Sequence, residues 1–227
     1  MRAAVLGWGM HCIVTAGPTY EPLDEVRRLT NFSTGRLGTE LANHLVARGH
    51  RVTLLLGVQA TWGGPREAQK VIPFTTTADL RAWFDKLSRA RPRVGAIFHA
   101  AAVSDFTFGH LYTRDAAGEL HSVRASKKIP TRHGRLFAEL VPTAKILAEL
   151  RGWYPQARIT GWKYEANGGR ADALAASRRQ LAECQTDGCV ANGPAYGRGF
   201  ALVTAAGQPR HCAKVDGLFA ELVEFIG

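Results

Sequence analysis

The chain has little of what would place it outside the ordinary globular class. No apolar run approaches the roughly 18 residues a membrane span needs, and the opening MRAAVLGWGMHCIVTAG lacks the basic, apolar and small-residue zones of a secretory leader. A cytoplasmic protein without membrane contact is the expectation. Cysteine is scarce: Cys12, Cys184, Cys189 and Cys212 show no C-x-x-C spacing, which argues against a disulfide framework or a zinc site and for reduced, buried thiols. No metal-ligating set is predicted. Internal repeats and low-complexity tracts are missing, which excludes solenoid and fibrous architectures. Long blocks of like charge are missing too, since the 29 Lys and Arg residues are scattered without aromatic interleaving; a nucleic-acid partner is therefore not expected.

What is present is enough apolar material for one core. With 46% hydrophobic residues over 227 positions, residues 1–227 read as a single domain. The formal charge of +10 fits either a phosphate-rich small-molecule partner or simply a basic solvated surface.

Short apolar runs alternate with helical stretches. His11 to Thr15, Arg51 to Leu56, Val71 to Thr75, Ala96 to Ala101 and Arg158 to Trp162 read as buried parallel strands. Thr34 to Arg48 brings Leu37, Leu41 and Leu45 to one face, and Ala78 to Arg89 does the same with Leu80, Phe84 and Leu87. A helix over Ala173 to Gln185, a strand over Gly188 to Asn192, a hairpin from Phe200 to Ala213 and a last helix over Val215 to Phe225 complete the pattern. It predicts an α/β, Rossmann-like three-layer sandwich: a mostly parallel sheet, helices on both faces and a C-terminal hairpin. Phe108 to Arg135 is polar and aperiodic, and reads as a long mobile loop.

Three stretches carry chemistry. Glycines in Thr15-Ala16-Gly17-Pro18-Thr19 and Asn31-Phe32-Ser33-Thr34-Gly35-Arg36-Leu37-Gly38 flank the first strand and open the first helix, where backbone N–H groups and the helix dipole suit a phosphate; they could equally serve tight turns. Ala100-Ala101-Ala102-Val103-Ser104-Asp105 lets a ligand lie against the backbone at a strand's carboxyl end, although Asp105 could instead cap a turn. Ser126-Lys127-Lys128-Ile129-Pro130 offers a loop cation to offset phosphate charge, or merely solvated lysines. A dinucleotide oxidoreductase remains an alternative on Gly35-x-x-Gly38. Against it, about 15 residues separate the first strand from the glycines, the second strand ends Leu55-Leu56-Gly57 without an acidic residue, and no Tyr-x-x-x-Lys pair occurs. A binding module of the same fold without catalysis is the other alternative.

Taken together, V-T-A-G-P-T, P-L with V-R ahead of N-F-S-T-G-R-L-G, A-A-A-V-S-D-F, the K-I pair, L-V-P with I-L, G-W-K-Y-E and R-R-Q-L-A-E-C-Q-T-D-G-C-V-A-N resemble phosphopantothenoylcysteine synthetase, particularly its eukaryotic, ATP-using type. The resemblance covers about residue 12 to residue 204 in family order. It implies a ligase of coenzyme A biosynthesis that joins 4'-phosphopantothenate to cysteine through an acyl-nucleotide, with ATP (or CTP) as co-substrate and Mg²⁺. By the same resemblance Gly17, Ser33, Gly35 and Gly38 hold the nucleotide phosphates, while Trp162 and Asn192 contact its base and sugar side. Asn31 binds the reacting carboxylate, Ala101, Ala102 and Asp105 wall the pantothenate, and Lys128 is the loop cation. Arg27 reaches the substrate phosphate of a second subunit, so a homodimer with shared sites is implied.

Overall fold

A computed structural model describes residues 9–123, 127–130 and 134–227. Its frame is an eight-stranded sheet in the order β13-β12-β11-β10-β6-β1-β4-β5. The parallel strands are β1 (His11–Ala16), β4 (Arg51–Gly57), β5 (Lys70–Phe74), β6 (Ala96–His99), β10 (Arg158–Tyr164) and β11 (Gly188–Asn192). The C-terminal hairpin, β12 (Phe200–Thr204) and β13 (Arg210–Cys212), pairs antiparallel on the β11 edge. Chain order reverses between β1 and β6, and the crevice at the carboxyl ends of these strands is where a doubly wound sheet receives ligands.

The central strands are apolar on both faces because both are covered. On one face Cys12, Val14 and Ala16 pack with Leu41, Ala42 and Leu45 of α1 (Arg36–Ala47) and with Leu218, Phe219 and Leu222 of α5 (Val215–Ile226). On the other, Ile13, Leu55 and Ile97 meet Leu80 and Phe84 of α2 (Thr77–Ser88) and Ile146 and Leu150 of α3 (Ile146–Trp153). Leu41, Leu45, Leu80 and Phe84 are fully buried, each contributing about 1.5–3 kcal/mol of transfer free energy. A third cluster gathers Ala173 and Leu181 of α4 (Arg170–Cys184) with Cys189, Ala191 and Tyr196. All four cysteines are buried and unbridged, and burial pushes the thiols of Cys12 and Cys189 up to about 12.

Two additions rise from the carboxyl edge. The first is a hairpin of β2 (Tyr20–Pro22) and β3 (Arg28–Thr30), tied down where the Tyr20 N–H donates to the Thr75 carbonyl (3.1 Å) and the Thr77 N–H to Glu21 Oε1 (3.0 Å). The second is a three-stranded antiparallel sheet, ordered β8-β7-β9, of β7 (Phe106–Arg114), β8 (Leu120–Val123) and β9 (Leu136–Pro142). It corrects the expectation of an aperiodic loop over Phe108 to Arg135, whose residues 124–126 and 131–133 lie outside the described residues. The alternation is hidden by a bulge: the β7–β9 register shifts between Phe108 and Leu111, so the apolar side chains fall out of the two-residue period.

Candidate active site

The floor of the crevice is backbone. The Ala102 N–H donates to the Gly17 carbonyl (3.0 Å) and the Thr19 N–H to the Ala102 carbonyl (3.1 Å), joining the β1 and β6 exits in a ladder. Beneath it, Thr15 Oγ1 accepts from the Ala101 N–H (3.0 Å) and lies 3.0 Å from Nδ1 of buried His99. With its oxygen accepting from Ala101, the Thr15 hydroxyl can donate its own hydrogen to Nδ1, which suits a neutral imidazole. Desolvation fits that state, since it lowers the His99 pKa to about 4.

Against this floor stands the N-terminus of α1. Gly17 and Gly35 adopt φ of +81° and +79°, and a Cβ on either would sit 2.9 Å from the Ala60 methyl, too close for any L-residue. Gly38 is different. It is buried in α1, and a Cβ there would meet Ala16 Cβ and the Thr15 carbonyl at 2.7 Å, so it sets how closely the helix approaches β1. Gly35 is the N-cap of α1 and has no side chain to cap it, Thr34 Oγ1 accepts from the Arg36 N–H (3.3 Å), and the first turn has no acidic residue. The first turns of α2, α3, α4 and α5 all carry one, Asp79, Glu149, Asp172 and Asp216. A helix N-terminus with a glycine at its cap and no acidic residue, beside a glycine turn, suits an anion.

Asn31 overhangs the same ladder. Its amide group donates to the carbonyls of Ala102 (3.3 Å) and Val103 (3.1 Å), committing both amide hydrogens in this conformation. Ser33 follows in the turn before α1, its N–H donating to the Asn31 carbonyl (3.0 Å). Asp105 is exposed at the start of the β7 connection, and its carbonyl accepts from the Thr143 N–H (3.0 Å).

Trp162 on β10 and Asn192 on β11 lie further along the sheet. Trp162 packs against the cluster shared with α1 and α5, and Trp162 pairs in register with Val190, two residues before Asn192, so both point to the α1 face. Trp162 Nε1 and Asn192 Oδ1 are buried without a hydrogen-bond partner among the described residues. From β1 across β6 and β10 to β11 is three strand spacings, about 14 Å, the span of an extended nucleotide.

Arg27 and Lys128 belong to a second cluster. Arg27 donates through Nε to Asp24 Oδ2 (3.0 Å), forms an ion pair to the same oxygen through Nη2, and through Nη2 also reaches the Ile129 carbonyl (3.0 Å). Ion pairing holds the Asp24 carboxyl well below the usual carboxylate range. Lys128 beside Ile129 is exposed, with no side-chain hydrogen bond or ion pair among the described residues. Gly17, Gly35, Gly38, Asn31, Ala101 and Ala102 are thus drawn into one contact network, whereas Arg27 joins Asp24 and Ile129 in a neighbouring one that leaves Lys128 exposed beside it.

A match to the family model of the DNA/pantothenate metabolism flavoprotein C-terminal domain spans residues 8–207. The chain belongs to this family. Among relatives, the coenzyme A biosynthesis bifunctional protein CoaBC of Bacillus subtilis is 31% identical over 197 residues, 86% of this chain and 43% of that protein. CoaBC of Mycolicibacterium smegmatis is 30% identical over 193 residues, 85% and 44% respectively. The chain therefore spans less than half the length of these relatives. The crystal structure of the DNA/pantothenate metabolism flavoprotein from Streptococcus pneumoniae matches with a TM-score of 0.82 at 24% identity, covering 96% of this chain and 98% of that one. A Cab2 mutant in complex with phosphopantothenate-cysteine matches at 0.68 with 17% identity, covering 96% and 86%. At these identities the structural likenesses establish the fold, an α/β Rossmann-like sandwich.

Several residues of this family member's site were not singled out from sequence. Ala60 wedges both cleft glycines, and a side chain on Gly57 would run into the Pro18 carbonyl; both lie in a stretch that carries no charged or nucleophilic group to draw notice. Thr15 and His99 hide inside apolar strands. Asp24 had a signal, an acid three residues before Arg27.

Proposed function

We propose that this domain joins the carboxylate of 4'-phosphopantothenate to the amine of cysteine at the expense of a nucleoside triphosphate, a ligase step of coenzyme A biosynthesis. The observation that carries the reading is the alignment, on one sheet face, of the acid-free, glycine-capped α1 N-terminus with the unpartnered Trp162 Nε1 and Asn192 Oδ1: phosphates at one end, base and sugar at the other. Buried polar atoms without partners cost free energy, and a nucleotide would supply what they lack. The names of relatives, CoaBC proteins and a Cab2 complex with phosphopantothenate-cysteine, support the substrate class.

The chemistry divides into two steps. A substrate carboxylate oxygen attacks the α-phosphorus and pyrophosphate leaves, which gives an acyl-nucleotide; the cysteine amine then attacks the acyl carbon and the nucleoside monophosphate leaves. Gly17 and Gly35 offer backbone N–H groups to the phosphates, Ser33, whose N–H is held by the Asn31 carbonyl, would offer its hydroxyl, and Gly38 holds α1 where those groups converge. The carboxylate would lie over Ala101 and Ala102, with Asp105 beyond. Asn31 would exchange its long bond to the Ala102 carbonyl (3.3 Å) for a charge-assisted bond to that carboxylate. Lys128 offsets charge on the departing pyrophosphate. ATP is the preferred nucleotide, with CTP the alternative. Among the described residues no three metal-ligating side chains cluster, so a magnesium ion would be held chiefly by the triphosphate oxygens, and no step is assigned to it. A homodimer, with Arg27 reaching the substrate phosphate in the partner's site, is supported by the exposed apolar Val26, Leu29, Phe106 and Leu140 on the hairpin and the β7–β9 sheet.

The test is pyrophosphate release from ATP or CTP in the presence of both phosphopantothenate and cysteine, with the ligated product followed by mass. Nucleotide binding without pyrophosphate release would favour a binding module. Reduction or oxidation of a nicotinamide cofactor would favour the oxidoreductase.

A further inference from the structure

We propose that Asp24 is a positioning residue that clasps the 127–130 segment onto the β2–β3 hairpin and so fixes the reach of Lys128. The catalytic consequence rests on the ligase reading; the clasp does not.

The two carboxylate oxygens of Asp24 do different jobs. Oδ1 accepts from the N–H groups of Val26 (3.0 Å) and Arg27 (2.8 Å), a local turn that any hairpin of this kind could use. Oδ2 has no need of a distant partner to make that turn. Yet it accepts from the N–H of Ile129 (3.1 Å), 105 residues away, as well as from Arg27 Nε (3.0 Å). Arg27 closes the ring by donating to the Ile129 carbonyl (3.0 Å). Ile129 is thereby gripped by both of its backbone groups, and its side chain is only 5% exposed although Lys128 and Pro130 on either side are open to solvent.

The Asp24 side chain is fully buried in this arrangement. A buried carboxylate is tolerated only when its lone pairs are filled and its charge is paired; Ile129 and Arg27 supply both. Arg27 still has its Nη1 hydrogens outside the ring, because Nε and Nη2 make the clasp. The same arginine can therefore hold the lysine segment and present Nη1 to an anionic ligand. Asparagine at 24 would lose the charge and one acceptor, the atom facing Ile129 or the one serving the turn.

Two variants test this. Asp24→Asn attacks the clasp from the hairpin, and Ile129→Ser keeps the gripped backbone groups but removes the buried side chain that helps seat the segment, at a position outside the three core clusters. Trypsin cleavage of the Lys128–Ile129 bond in the free protein, mapped by mass, should accelerate at least tenfold in each. An unchanged rate in both overturns the clasp. For the positioning role, pyrophosphate release is measured at saturating substrates in Asp24→Asn, Lys128→Gln and the double variant. If Asp24 acts through Lys128, the double variant is no slower than Lys128→Gln alone; losses that multiply overturn that role. Faster cleavage in the variants, with no pyrophosphate released by the wild type from any triphosphate, would keep the clasp and reject the ligase reading.

Discussion

Replacing Gly38 with alanine separates its two possible roles, touching phosphate or seating the helix. A Cβ at 38 would lie 2.7 Å from Ala16 Cβ and from the Thr15 carbonyl, where ordinary contact begins at 3.4 Å. Since 3.4 − 2.7 = 0.7, the N-terminal turn of α1 must retreat from β1 by about 0.7 Å. Overpacking of this kind costs roughly 1–3 kcal/mol, partly offset by about 0.5–1 kcal/mol that alanine gains over glycine inside a helix. A net loss of about 1–2 kcal/mol should appear in urea denaturation. The same retreat carries the Gly35–Leu37 N–H groups away from the Gly17 turn, stretching a ~2.9 Å bond to ~3.6 Å, beyond useful range. Losing one charge-assisted bond of about 1.5–3 kcal/mol should weaken nucleotide binding roughly 10- to 100-fold by titration calorimetry. Gly152→Ala in α3 is the control, because its Cβ would meet nothing within 4 Å; it should be neutral or stabilising. If Gly38→Ala matches the wild type in both stability and affinity, the close seating of α1 does not govern the phosphate site.

Three further outcomes are expected. His99, held neutral by burial with a pKa of about 4 against 6.5 ordinarily, binds its proton more readily unfolded, so stability present above pH 6.5 should fall as pH drops toward 4; its share, about 3 kcal/mol by pH 4, is the difference between wild type and His99→Gln in urea melts across that range. Asn192→Leu removes a buried acceptor without a partner, so it should leave stability unchanged or higher while weakening nucleotide binding about tenfold; equal binding by calorimetry would remove Asn192 from the site. Lys128→Gln should slow pyrophosphate release in single turnovers roughly a hundredfold, about 2.7 kcal/mol, and a normal rate would return Lys128 to the status of a solvated lysine.

The elements legible in the sequence were those whose apolar period is set by the central sheet. His11 to Thr15, Arg51 to Leu56 and Gly188 to Asn192 fall within a residue of β1, β4 and β11, because strands covered on both faces show as unbroken apolar runs. The helix expected from Thr34 begins at Arg36 instead, since Gly35 takes the left-handed conformation and sets the cap. The β2–β3 hairpin and β7–β9 sheet were missed because they stand outside the main core. Leu29, Phe106 and Leu140 remain exposed on them, so no one-sided burial imposes a readable alternation, and the β7 bulge breaks what remained. α3, only eight residues long, was too short for its period to register. For the site, glycines and polar residues next to apolar runs were readable as candidates. Which glycine faces a ligand and which faces a strand was not, because that depends on Ala60 and Thr15, brought in from elsewhere in the fold.

The arrangement separates what must be rigid from what must adapt. The proposed phosphate end rests on β1, α1 and the Ala60 loop, where three glycine positions admit no side chain and the strand below is buried from Cys12 to Ala16; a preorganised N–H cradle of this kind would cost little to fill. The residues expected to meet the second substrate, Arg27 and Asn31, lie in the β2–β3 hairpin and the turn after it, joined to the frame by a handful of hydrogen bonds. That placement has a chemical logic. In the proposed reaction the nucleotide would present the same groups at every turnover, whereas the acid would first offer an oxygen to phosphorus and then, as an acyl-nucleotide, offer its carbon to an amine. A side chain that serves both positions has to shift between them. Asn31, exposed and holding the Ala102 carbonyl only through a long bond (3.3 Å), can exchange that partner at small cost, whereas a residue locked into the sheet could not.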